Sequence, residues 1–164
     1  MNRKEVQKEL NKFGRYVVQQ SRSNLTRGKK NASKELYNSI GFDLEVFPNS
    51  FSFFFEMEEY GEFQDKGVNG KEKKYNAPFS YTNKRPPAKV FERWIKTKGI
   101  KGRDKKTGRF ITNKSLSFAI ANSVYKKGIK PSLFFTKPFE AAFKRLPDEL
   151  IEAFGLDLDN ILTE

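Results

Sequence analysis

The chain of 164 residues has no cysteine and no histidine. Without cysteine there are no disulfides, thiolate metal sites or cysteine nucleophiles. Without histidine there is no Ser-His pair, no His-ligated zinc and no histidine general base. Much of ordinary hydrolytic chemistry is thereby removed, and the sequence leads us to expect no catalytic, cofactor-binding or metal-ligating residue. Long apolar runs are also missing: the longest, such as FSFFFEM at 51–57, fall far short of the roughly 18 residues of a membrane span. The segment MNRKEVQKEL carries charge but no apolar h-region, so a soluble chain without a signal peptide or membrane contact is expected. Apolar residues amount to 37%, below the usual range of about 45–50%. Phenylalanine is what the chain has instead, 17 of them, so the core must be made of few, large side chains. The length suits one domain, 1–164, with a single core.

The net charge is +12, and it is blocked by sign. Residues 1–34 hold ten bases and two acids, 35–59 six acids and no base, 60–110 fifteen bases and five acids, 111–147 seven bases and one acid, and 148–164 six acids alone. Two purely acidic blocks oppose the counterion release that drives simple phosphate binding. Blocks of both signs fit a surface that meets a copy of itself or an oppositely charged neighbour. The alternative is a solvated surface with incidental clustering.

The periodicity predicts an α+β fold. Val6, Leu10, Phe13, Val17, Ser21 and Leu25 recur at spacings of three and four, giving a long N-terminal helix that ends at Gly28. A short helical turn around SKELYNSI follows. FDLEVF, the turn residues PNS and FSFFFEM then read as an antiparallel hairpin at about 42–57, the centre of a small sheet. Further helices are expected at about 88–98, 114–127 and 138–154. The first carries Val90, Phe91, Trp94 and Ile95 as an apolar stripe. The second shows two stripes, one containing Phe118, and so implies burial on two sides. The third places Phe139, Ala142, Phe143 and Leu146 toward the core. Gly128 sits where a C-cap glycine belongs, behind Lys126 and Lys127, and Pro138 falls in the first turn of its helix. Basic flexible loops are expected at about 67–87, where APFSYT could form one short strand, and at 100–112, to be ordered by a partner.

Candidate sites are few. Glu56, Glu58, Glu59, Glu62 and Asp65 lie within ten residues, as a magnesium-dependent nuclease would need, but a solvated acidic rim at the strand end explains them without a metal and is the favoured reading. Glu72, Lys73 and Lys74 match an E-x-K spacing inside a glycine-flanked loop, and GVNGKEKK lacks the spacing of a phosphate loop. Trp94 reads as core rather than as a base-stacking residue. Lys71, Lys73, Lys74, Lys101, Arg103, Lys105, Lys106 and Arg109 are the candidates for contact with DNA or a partner. In GIKPSLFFTKPF, residues 128–139, Phe134 and Phe135 are adjacent in what reads as an extended connector, so they should point opposite ways. One would enter the core, and the other, with Lys130 and Lys137, would face a neighbouring protein.

The order LYNSI, hairpin, YGEFQDKG, WIKTKGI, helix, KKGIKPSLFFTKPF resembles the small head-tail connector or tail-completion proteins of tailed bacteriophages and prophages. The resemblance spans about 36–143. Its positions are Leu36, Ser39 and Ile40; Tyr60, Phe63 and Gly67; Trp94, Ile95, Lys98, Gly99 and Ile100; and Gly128, Pro131, Phe134, Phe135 and Pro138. It implies a subunit without a catalytic site or cofactor, assembled as a homo-oligomeric ring at the virion neck. That ring would join portal or head-adaptor proteins to tail proteins and let genomic DNA pass, after assembly in the host cytoplasm. The rival expectation is a sequence-independent nucleic-acid-binding protein that uses the basic loops.

Overall fold

The computed structural model describes residues 4–30, 33–47 and 50–163, with side chains through Asp157. Its elements are helix α1 (Lys4–Arg27), α2 (Glu35–Ser39), strands β1 (Gly41–Val46) and β2 (Phe51–Glu56), α3 (Tyr60–Lys66), β3 (Val68–Asn69), β4 (Phe79–Ser80), α4 (Ala88–Lys98), α5 (Asn113–Lys127), β5 (Gly128–Ile129), α6 (Thr136–Phe143) and α7 (Leu146–Thr163). The fold is mixed α+β. Two compact units divide it: the described parts of Met1–Gly28, Glu35–Glu58 and Leu133–Glu164 form unit 1, and those of Lys29–Lys34 and Glu59–Ser132 form unit 2.

In unit 1, α1 packs against α6, α7 and β1. Its stripe of Val6, Leu10, Phe13, Val17 and Leu25 is buried, as the spacing requires. The hairpin pairs β1 with β2 antiparallel from Gly41↔Glu56 to Val46↔Phe51. Strand alternation turns Phe51, Phe53 and Phe55 inward against α1, while Phe54 stays exposed. Phe13, Phe42, Phe53, Phe55, Phe135, Phe139 and Phe143 form one connected set of ring contacts. Phe13 lies 5.6 Å from Phe53 and 5.9 Å from Phe139, and Phe55 lies 5.1 Å from Phe135. Each such edge or offset contact adds about 0.5–1.5 kcal/mol beyond the burial itself. At one end, the buried carboxylate of Asp157 in α7 accepts hydrogen bonds from the backbone N–H of Glu5 (3.1 Å) and Val6 (3.2 Å). An acid 152 residues away thus supplies the helix α1 N-terminus with acceptors its own sequence lacks.

In unit 2, α4 packs along α5. A three-stranded sheet of order β4-β3-β5 joins them, with β3 parallel to β4 and antiparallel to β5. The C-terminal carbonyls of α5 are satisfied by the segment after β3: Lys71 N–H donates to Tyr125 O (2.9 Å) and Glu72 N–H to Lys126 O (2.9 Å).

Several expectations need correction. The region read as a loop at 67–87 contains the short strand anticipated in APFSYT, which is β4, and an unexpected one, β3, both organised by Asn69. Its side chain donates to Ala77 O (2.7 Å) and Ser80 Oγ (3.1 Å) and accepts from the N–H of Tyr75 (2.7 Å) and Ala77 (3.3 Å). The span expected as helical at 138–154 is two helices, turning at Lys144 and Arg145, and the second starts beside Pro147, Asp148 and Glu149, where the sequence itself marks the start of a last helical segment. On α5 only Ser117 and Ala121 are buried, and Phe118 is exposed, so the helix is covered on one side. Phe143 stacks on Phe139 (5.5 Å) from the outside and is exposed rather than core.

Candidate assembly surfaces and basic hairpin

Helix α4 has eleven residues, and its inward positions are taken by Phe91 and by Ile95, which is 1% exposed. Val90 and Trp94, one turn apart, fall beside that face and remain 63% and 41% exposed. Trp94, expected in the core, is therefore an outer residue. Lys89, Lys96 and Lys98 are exposed on the same helix, and Phe118 adds a large apolar side chain on α5. Unit 1 has a counterpart of opposite charge. Helix α7 turns Leu146, Ala153 and Asp157 inward and leaves Ile151 (72% exposed) and Phe154 outside; among its described side chains the exposed acids are Asp148 and Glu152.

Phe134 and Phe135 do not diverge. Leu133 adopts φ 52°, a left-handed conformation, and the chain turns directly into α6. In a turn the alternation of an extended strand does not apply. Phe134 is 1% exposed among Leu25, Leu36 and Ile40, and its carbonyl accepts from Asn24 Nδ2 (3.1 Å). Phe135 is half-buried against Phe55 and Phe139. Both rings serve the interior of unit 1, while Lys130 and Lys137 are exposed.

The basic candidates fall into two sets within unit 2. In the first, Lys74 Nζ donates to Gly70 O (2.9 Å), Lys73 lies 5.3 Å from the Tyr75 ring centroid, and neighbouring Glu72 pairs with Lys126 (2.9 Å); Lys71 is exposed. The second set sits on a hairpin in the segment expected as a loop at 100–112. Arg103 and Phe110 form a bridge between Asp104 N–H to Arg109 O (2.8 Å) and Ile111 N–H to Gly102 O (3.0 Å). The Asp104 carboxylate closes the tip by accepting from Lys106 N–H (3.0 Å), Thr107 N–H (2.8 Å) and Thr107 Oγ1 (3.0 Å). Gly108, at φ 69°, lets the chain return. The bonds from Thr107, then that from Lys106, hold the Asp104 carboxyl below the usual carboxylate range. Lys101, Arg103, Lys105, Lys106 and Arg109 are all exposed.

Other surfaces offer less chemistry. A groove of about 640 Å³ in unit 1 is lined by Arg15, Arg22, Arg27, Tyr37 and Phe42 among others, with no acid on its wall. Among the described residues no group of three or more acidic side chains is placed to hold a metal ion, and no helix is long and apolar enough to cross a membrane. Of the five carboxylates at 56–65, Glu62 pairs with Lys66 (2.7 Å) and Asp65 is buried. The sequence carried no signal for Asn69 or Asp157, because an Asn after a strand residue and an Asp in an acidic helix are ordinary in themselves. Compared with protein families, curated proteins and solved structures, the chain matches none.

Proposed function

We propose that the chain is a structural subunit of a tailed bacteriophage, a head-tail connector or tail-completion protein. It assembles in several copies as a ring at the virion neck, between portal-side and tail proteins, and genomic DNA passes through the ring. The observation that carries this reading is the pair of apolar surfaces left uncovered on a highly charged chain. Val90, Trp94 and Phe118 lie with lysines in unit 2, and Ile151 and Phe154 lie with acids in unit 1. Large apolar side chains left in water beside charge mark protein contacts. A head-to-tail ring joins two different surfaces of one subunit, so surfaces of opposite charge suit it. The motif order ending in KKGIKPSLFFTKPF supports the same reading. A second reading, sequence-independent nucleic-acid binding, draws on the hairpin at 102–111.

Sedimentation velocity of the purified chain, alone and mixed with the portal and tail proteins of the same phage, tests the proposal. A multi-copy species is expected, and Trp94→Glu or Phe154→Glu should return it to monomer without unfolding it. A chain that stays monomeric in every mixture would overturn the reading.

A further inference from the structure

We infer that the hairpin at 102–111, with Lys101 at its base, is a preformed binding element for the phosphate backbone of double-stranded nucleic acid. This does not depend on the neck location. Five cations lie on eleven residues, and the single acid among them, Asp104, is turned into the tip, where three donors occupy it. The side chains of Lys101, Lys105, Lys106 and Arg109 are exposed and have no hydrogen-bond or ion-pair partner among the described residues. In contrast, Lys73 and Lys74 in the other basic segment are engaged with Tyr75 and Gly70. The frame is set by the Arg103↔Phe110 bridge and by Gly108, so the charges are displayed without the cost of ordering a loop on binding.

The aromatic residue decides which form of nucleic acid fits. Single strands are held by stacking their bases on aromatic faces. Phe110 is the hairpin's only aromatic ring, and Arg103 lies over it, 4.3 Å from guanidinium carbon to centroid. The guanidinium covers one face of a ring that is 62% exposed, so the hairpin has a single aromatic face to set against five cations, where single-strand grooves line up several rings; the balance suits the outside of a duplex. An acidic protein would find one apolar contact here, the exposed part of Phe110, beside five cations; the polyglutamate competition in the test below separates it from a duplex.

Fluorescence anisotropy of the full chain with a labelled random-sequence duplex, titrated with salt, tests the inference. Log K should fall linearly with log salt. The triple variant Lys105→Ala, Lys106→Ala, Arg109→Ala should flatten that slope by about 0.9 for each phosphate it no longer neutralises, equally for unrelated sequences. Lys71→Ala with Lys73→Ala and Lys74→Ala should leave the slope as it was. Gly108→Val, which strains the tip at φ 69° and leaves every charge in place, should weaken binding at fixed salt, showing that the frame matters. Absence of duplex binding at low salt, an unchanged slope in the triple variant, tighter binding to single strands, or displacement by polyglutamate at equal charge concentration would each overturn it.

Discussion

Phe134 and Asn69 contribute to the fold through burial and hydrogen bonding respectively. Phe134→Ala should cost about 3–5 kcal/mol in urea unfolding, the usual loss for a buried phenylalanine. Phe135→Ala should cost less, because its ring is half-buried; equal losses would mean that the two rings are equivalent. The sequence located both aromatics but misplaced one, because nothing in SLFFT signals that Leu133 turns left-handed. Asn69→Ala removes four side-chain hydrogen bonds, and each buried group left without a partner costs about 1–3 kcal/mol. Amide exchange at Tyr75 and Ala77 should then accelerate relative to the wild-type chain. Asp104 supplies a pH dependence with a definite sign. Its folded pKa is depressed, so its contribution to the hairpin is present above the ordinary aspartate range and lost as pH falls through the folded value. NMR titration should find its carboxyl ionising below that range, with the Lys106 and Thr107 amides losing protection as it protonates; an ordinary aspartate midpoint would contradict the tip geometry.

Among the elements, those with a period were legible, and of the short strands without one only β4, inside APFSYT, was anticipated. Helix α1, the β1–β2 hairpin, α4 and α5 follow apolar spacings over several turns or strand residues, and their ends fall within a few residues of expectation. Strands β3, β4 and β5 have two residues each, too few to show alternation, and they exist through the Asn69 bonds and the α5 C-terminus. Gly128 illustrates the difference. Its C-cap role was readable, and its N–H does donate to Val124 O. Its close approach to Val68 O and Gly70 N, which a Cβ would obstruct, was not. Gly128→Ala, at φ 72°, should therefore destabilise unit 2 in thermal unfolding. Gly155→Ala, in open space on α7, should gain about 0.5–1 kcal/mol. A reversal of that order would contradict the packing around β5.

For the molecule as a whole, the charge blocks of the sequence become surfaces of different chemistry: lysines beside Val90 and Trp94, acids beside Ile151 and Phe154, and a cationic hairpin held by one aspartate. The sequence announced the charge but assigned Trp94, Phe118 and Phe143 to the core, because apolar spacing marks a helix face without saying what covers it. Their exposure leaves apolar surface for the assembly that the resemblance already implied. The measurement that tests the proposed subunit role most directly is cryo-electron microscopy of any tailed particles purified from the strain whose genome encodes the chain. The account predicts ring density at the neck that fits both units, with α4 and α7 covered by adjacent copies or by portal-side and tail proteins. Particles whose neck density and protein content lack this chain would contradict it.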